Sequence, residues 1–280
     1  MAMIRMATAR PIASLTTLSV ILAFGATTAC TSANNTAEDA AAGDDGEQVL
    51  VMATSADYPP YEFYETAAGD GEPVGFDVDI AKYITSELGY GLEIQDMEFN
   101  GIIPALQSQR VDFAMAGMTP TEERKESVDF TDVYYDAKNT IVAAAGSGYG
   151  SYEDLAGTTV GVQLGSIQEG ELKEQAETID DITVEPRNRI SELVQEIKAG
   201  RIDAAIIEDT VAKGYIQNND DLEFSTVESA EESGSAIAFP KDSELRAEFD
   251  QVLDQMQENG TLDEFINRWF EEFYEQQGGE

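Results

Sequence analysis

Gln109-Arg110-Val111-Asp112-Phe113-Ala114 and Gly200-Arg201-Ile202-Asp203-Ala204-Ala205 are two versions of one turn. Each sets an Arg, an aliphatic residue and an Asp between an amphipathic helix and a short apolar run. Before the first, residues 102–108 carry Ile103, Ala105 and Leu106 at helical spacing. Before the second, residues 190–199 carry Ile190, Leu193, Val194 and Ile197 on one face. After them, residues 111–115 and 204–207 read as buried strands. A repeated helix–turn–strand unit predicts two lobes of similar build.

The pattern extends outward from both turns. Leu50-Val51-Met52-Ala53 is a buried strand, residues 77–88 are a helix closed by Gly89, and Leu92-Glu93-Ile94 is a strand. In the second half, residues 159–163 and 182–184 are strands around a helix at 167–177. This alternation predicts an α/β architecture with mostly parallel sheet. Two such lobes facing each other leave a cleft at the carboxyl ends of their strands, where open sheets hold ligands. Residues 235–239 form one apolar strand, followed by helices at 243–257 and 261–273. Thr261 and Glu264 have the spacing of a capping box. Trp269, Phe270 and Phe273 are core aromatics, as is Phe63. Gly146-Ser147-Gly148-Tyr149-Gly150 reads as a loop joining the lobes.

The chain begins differently. Residues 1–29 hold Arg5 and Arg10, no acid, and an apolar stretch interrupted by Thr16, Thr17 and Ser19. A basic start, a short apolar core and small residues at its end describe an export signal. The sole cysteine, Cys30, stands at that boundary, and the small residues before it resemble the lipobox of bacterial lipoproteins, in which the Cys is acylated, although Thr27 stands where that motif usually has Leu. Residues 30–47 lack any aliphatic larger than Ala and read as a flexible tether.

Of 280 residues, 55 are Asp or Glu and 16 are Lys or Arg, for a net charge of −39. So few cations argue against nucleic-acid binding. The absence of His excludes Ser-His-Asp and Cys-His catalysis and His-containing zinc sites. One Cys closes no internal disulfide. The acidity reads as a solvated surface, and specificity is expected from a few cleft residues.

Loops after predicted strands carry the candidate chemistry. Ser55-Ala56-Asp57-Tyr58-Pro59-Pro60-Tyr61 is stiffened by two prolines. Glu98-Phe99-Asn100-Gly101 places Phe99 at the cleft mouth and offers Asn100 as an N-cap. Ala116-Gly117-Met118-Thr119 leads to Arg124, whose planar fork suits a carboxylate. Gln163-Leu164-Gly165-Ser166-Ile167-Gln168 opens a helix N-terminus fit for an anion. Ile206-Ile207-Glu208-Asp209 ends a buried strand in carboxylates; neither a calcium-loop spacing nor a partner acid of a glycosidase pair accompanies them. An Arg and a helix N-terminus for a carboxylate, an acid on the other lobe for an ammonium, and flanking aromatics make a site for an α-amino acid.

On these residues the chain resembles the polar amino-acid solute-binding proteins of bacterial ABC importers over about residues 48–273. The matching segments include Asp57-Tyr58-Pro59-Pro60-Tyr61, Val74-Gly75-Phe76-Asp77, Phe99-Asn100, the 117–124 loop, Val128-Asp129-Phe130 and Gly165-Ser166 with Gln168. Residues 187–198 and 204–215 look especially like the arginine-binding lipoproteins of Gram-positive bacteria. The resemblance implies a two-lobed periplasmic-binding-protein-like fold of type II, with lobe 1 at 48–143 and 236–280 and lobe 2 at 144–235. It implies hinge crossovers near 141–144 and 235–238. It also implies that Arg124 clamps the ligand carboxylate with amides at Thr119 and Ile167. Glu208, the Gly117 carbonyl and the Thr119 hydroxyl would hold the ammonium. Tyr58 and Phe99 would sandwich the side chain, with Asp57 and Gln163 as polar candidates for a guanidinium. Many members carry Asp at the position of Glu208, and Ser at that of Ala116. The expected function is capture of a basic or polar amino acid, L-arginine first, for an ABC permease, by a lipid-anchored extracytoplasmic monomer that needs no cofactor. The rivals are a cyclohexadienyl-dehydratase-like enzyme on the same scaffold, with Glu208 as acid or base, and a sensory domain, which a chain ending at Glu280 without a later span disfavours.

Overall fold

The computed structural model describes residues 48–65, 71–217, 219–228 and 233–274. The export signal, Cys30 and the tether lie outside them. Among the described residues no helix is long and apolar enough to cross a membrane.

Two five-stranded sheets form, and their orders match strand for strand. In the first, Gly91–Asp96, Val49–Thr54 and Phe113–Ala114 run parallel. Ala238–Pro240 then joins antiparallel, with Val128–Phe130 beyond it. In the second, Thr183–Arg187, Thr159–Gln163 and Ala204–Glu208 run parallel. Asn139–Ala144 joins antiparallel, with Leu222–Thr226 at the edge.

The quoted turn does the same work in both sheets. Asp112 Oδ2 accepts the amide of Val51 at 2.7 Å, and the Asp112 amide donates to the Val51 carbonyl at 2.9 Å. Asp203 Oδ2 accepts the amide of Thr159 at 2.8 Å, and its own amide returns a bond to the Thr159 carbonyl at 2.8 Å. Gln109 and Gly200 both take positive φ, 53° and 63°, to reverse the chain out of the helix. The aliphatic residue of each turn, Val111 or Ile202, is buried. The Asp therefore clips two neighbouring parallel strands of its sheet together, Val49–Thr54 to Phe113–Ala114 in one and Thr159–Gln163 to Ala204–Glu208 in the other.

The helices follow the apolar spacing. Phe76–Leu88 buries Val78, Ile80, Ala81 and Ile84, and ends on Gly89 in the left-handed region. Ile190–Lys198 buries its four predicted aliphatics. Tyr61 lies at the centre of the core, with Phe270 edge-on at 5.2 Å. Phe63 packs against Trp269 and Phe273.

Several expectations move. Residues 141–144 are not a crossover; they lie inside the strand Asn139–Ala144, paired on both sides in the second sheet. That places residues 139–143, expected in lobe 1, in lobe 2. The two connections between sheets instead pair with each other, Tyr135–Ala137 against Ser233–Ser235. The single strand expected at 235–239 is split, because the chain leaves this ribbon at Ser235 and re-enters the first sheet at Ala238. The glycine-rich run 146–150 joins no lobes. It turns within the second, where Glu223 accepts from the amides of Gly146 and Gly148 and from the Ser147 hydroxyl. The expected capping box is not formed: Asn259 Oδ1, not Glu264, takes the Thr261 amide, and the Thr261 side chain makes no cap. Asn100 sits within a 3-10 turn, Phe99–Gly101, that has no side-chain cap. The last helix is α-helical over Thr261–Ile266 and widens to a π-turn over Asn267–Glu272.

Candidate functional site

The parallel strands of both sheets end towards one narrow cavity between the lobes. It is lined by Tyr58, Phe99, Ala116, Gly117, Thr119 and Arg124 from the first lobe. Gln163, Ser166, Ile167, Gln168 and Glu208 line it from the second. Ten of the eleven candidate ligand residues thus meet there; Asp57 does not.

Arg124 rises from the short helix Glu122–Ser127, whose N-cap Thr121 accepts the Arg124 amide at 3.2 Å. Its guanidinium is buried, 5.3 Å from the Phe99 ring centre. It donates to the Thr119 carbonyl at 2.8 Å and across the lobes to the Gly165 carbonyl at 3.0 Å. Among the described residues no carboxylate stands within salt-bridge distance of it, whereas Arg187, Arg189, Arg201, Arg246 and Arg268 each have one. Burial lowers its pKa to about 10. A buried cation held by two carbonyls and an aromatic face has its charge uncompensated, an arrangement suited to an anionic group.

Glu208 ends the strand Ala204–Glu208 and is buried. Its Oε1 accepts from Tyr61 at 2.5 Å and from the Thr210 hydroxyl; its Oε2 accepts from Tyr58 at 3.2 Å. Among the described residues three neutral hydroxyls and no cation hold it. Burial pushes its pKa up to about 7, against the lowering effect of those hydrogen bonds.

Between them lies the Gly117 turn. Gly117 has φ +56°, and a Cβ there would lie 2.8 Å from Tyr58 Cε1, so only glycine lets the aromatic close over this backbone. The Gly117 amide donates to Asp77 Oδ2 at 3.0 Å, and Tyr134 donates to Asp77 Oδ1 at 2.7 Å. Asp77 is wholly buried beside Glu62, and burial raises both carboxyls, Asp77 to about 6. The sequence marked Asp77 only as part of the Val74-Gly75-Phe76-Asp77 segment that carries the family resemblance; its contact with the turn needs the fold.

On the second lobe, Ser166 caps the helix Ile167–Thr178 by accepting from the Glu169 amide at 3.2 Å, which turns the helix N-terminus to the cavity. Gln163 and Gln168 are buried in the cavity wall.

Asp57 serves elsewhere. Its Oδ2 accepts from the Ser191 amide at 2.9 Å, and its carbonyl accepts from the Tyr215 hydroxyl at 2.7 Å. Arg189, in the turn before Ser191, donates with both terminal nitrogens to Asp96, at 2.9 and 3.2 Å, and lies 3.7 Å from Asp57. Asn188 donates to Glu98 at 2.9 Å. These contacts tie the lobes together outside the cavity. The sequence marked Asp57 by its place in the aromatic loop; which way its carboxylate turned depended on Arg189, some 130 residues later.

The family described as bacterial extracellular solute-binding proteins, family 3, matches residues 50–272. The chain is 52% identical over 247 residues to the arginine-binding extracellular protein ArtP of Bacillus subtilis (strain 168), covering 88% of this chain and 92% of that protein. It is 31% identical to an L-arginine-binding protein of Pseudomonas aeruginosa, over 77% of this chain and 85% of the relative. Among solved structures, an ancestral arginine-binding protein bound to arginine superposes with a TM-score of 0.74 at 40% identity, covering 80% of this chain and 99% of that one. The substrate-binding protein AbpA from Streptococcus pneumoniae Canada MDR_19A, bound to L-arginine, gives a TM-score of 0.75 at 33% identity over 83% and 96% of the two chains.

Proposed function

This chain belongs to the family-3 bacterial extracellular solute-binding proteins, and from that premise we propose that it captures L-arginine between its lobes and delivers it to an ABC permease. It is a binding protein, not an enzyme. Its place is extracytoplasmic, with Cys30 as the acylated end of a membrane tether and the globular part a monomer.

The observation that carries this reading is the pair of unpaired buried charges, Arg124 on one lobe and Glu208 on the other, facing one cavity. Arg124 and the amides at Thr119 and Ile167 take the α-carboxylate. Glu208, the Gly117 carbonyl and the Thr119 hydroxyl take the α-ammonium. Tyr58 and Phe99 flank the side chain, whose planar cation suits aromatic faces. The similarity to the B. subtilis protein supports arginine as the ligand. A thermal-shift panel of the twenty amino acids with ornithine and citrulline tests it. At about 100 times its Kd a ligand adds about 2.7 kcal/mol of stability, so L-arginine should give the largest rise in Tm; a panel without response removes the proposal.

The lobes close about the paired connections Tyr135–Ala137 and Ser233–Ser235. A ligand bridging both lobes favours the closed state by its differential affinity. The Arg189–Asp96 pair favours the same state without touching the ligand. Arg189→Ala should therefore raise Kd for every ligand by one common factor, about fivefold for a half-exposed bidentate pair worth about 1 kcal/mol. The change should sit in koff, measured by stopped-flow fluorescence. Ligand-dependent factors would place Arg189 in contact with the ligand instead.

A further inference from the structure

We propose that Glu171 and Asn139 are positioning residues that hold the Gln168 side-chain amide with its carbonyl oxygen towards the cavity, so that this wall takes a ligand group rich in N–H donors. The proposal rests on the reading of the cavity as an amino-acid site and adds the residues that set its polarity.

An ionised carboxylate only accepts hydrogen bonds. Glu171 Oε2 lies 2.6 Å from Asn139 Nδ2, so the donor end of the Asn139 amide points to Glu171. Asn139 Oδ1 then points the other way, where Gln168 Nε2 donates to it at 2.8 Å. With one N–H of its NH2 group held by Asn139, the Gln168 amide is fixed in orientation, and its carbonyl oxygen is left for the cavity that it lines.

The relay has no easy alternative. Asn139 is 0% exposed, so water cannot replace either partner. Turning its amide over would set Oδ1 against the carboxylate and Nδ2 against the Gln168 NH2, two repulsive contacts in place of two bonds. The backbone is equally fixed: Asn139 begins a strand in register opposite Glu208, and Glu171 and Gln168 share the helix Ile167–Thr178. Glu171 reaches no ligand itself; it acts through two amides.

A double-mutant cycle tests this on the full chain, with L-arginine as the probe in calorimetric titration. Glu171→Gln keeps the shape but lets the amides turn over, and should weaken L-arginine about fivefold; Gln168→Ala should weaken it about tenfold. The double variant should bind no worse than Gln168→Ala, since Glu171 then has nothing to orient. Asn139→Ala, which removes the middle of the relay, should follow the same cycle and serves if Glu171→Gln does not fold. Unchanged affinity in Glu171→Gln, or penalties that multiply in the double variant, would overturn the relay while leaving the amino-acid site intact. A wild-type protein that binds no amino acid would overturn both.

Discussion

Arg124→Ala should weaken L-arginine binding by about 3 kcal/mol or more, a loss of over a hundredfold, because it leaves the ligand carboxylate buried and unpaired. The effect is large because the guanidinium is already desolvated and already aimed. The Thr119 and Gly165 carbonyls use one donor on each terminal nitrogen and fix its plane. Arg124→Lys should recover only part of the loss, since an ammonium cannot hold two carbonyls and meet a carboxylate bidentately. Stability should fall much less than affinity. Calorimetric titration beside thermal melts separates the two, and unchanged L-arginine affinity in Arg124→Ala would remove Arg124 from the site.

The second large effect is a pH dependence carried by Glu208. In the ligand-free protein its carboxyl titrates at about 7 because it is buried without a cation. Binding an ammonium requires the ionised form. Affinity for L-arginine should therefore be highest near pH 8, since the ligand's own α-ammonium deprotonates above it, and fall about tenfold for each unit below 7. Near pH 6 nearly one proton should leave for each ligand bound, read by calorimetry in buffers of different ionisation enthalpy. Stability of the free protein runs the opposite way. The folded pKa lies above the ordinary carboxylate value of 4.5, so the folded state binds more protons than the unfolded. That contribution is complete below about 4.5 and is lost as pH rises through about 7. Asp77, raised from 3.8 to about 6, has the same sign over a lower window. Glu208→Gln should abolish the pH dependence of binding between 5 and 8 and lower affinity at pH 8. A wild-type affinity independent of pH across this range would contradict the assignment.

The lobes were legible in the sequence because their signals are local. Apolar spacing, Gly89 and the paired Arg-aliphatic-Asp turns each report on a few neighbouring residues, and the Asp of each turn proved to clip two strands together. The site was legible because it is built from loops at strand ends, where Tyr58, Gly117, Arg124 and Gly165-Ser166 serve no obvious core purpose. What the sequence did not reveal depends on pairing at long range. The run Asn139–Ala144 is apolar enough for a strand, but its place in the second sheet is fixed by Ala204–Glu208 and Leu222–Thr226. Asp57 turned from the cavity because the Ser191 amide and Arg189 stand closer to its carboxylate. Glu62 and Asp77 are both buried, 15 residues apart in sequence, and no local pattern around either one reports that burial.

The central claim is that one ligand spans the lobes with its carboxylate on Arg124 and its ammonium on Glu208. Its most direct test is a calorimetric comparison of L-arginine with L-argininamide, which lacks the carboxylate charge, and with 5-guanidinopentanoate, which lacks the ammonium. L-arginine should bind at one site, and each analogue should lose about a hundredfold or more, since each leaves one buried charge unpaired. Analogues that bind as tightly as L-arginine would contradict the claim.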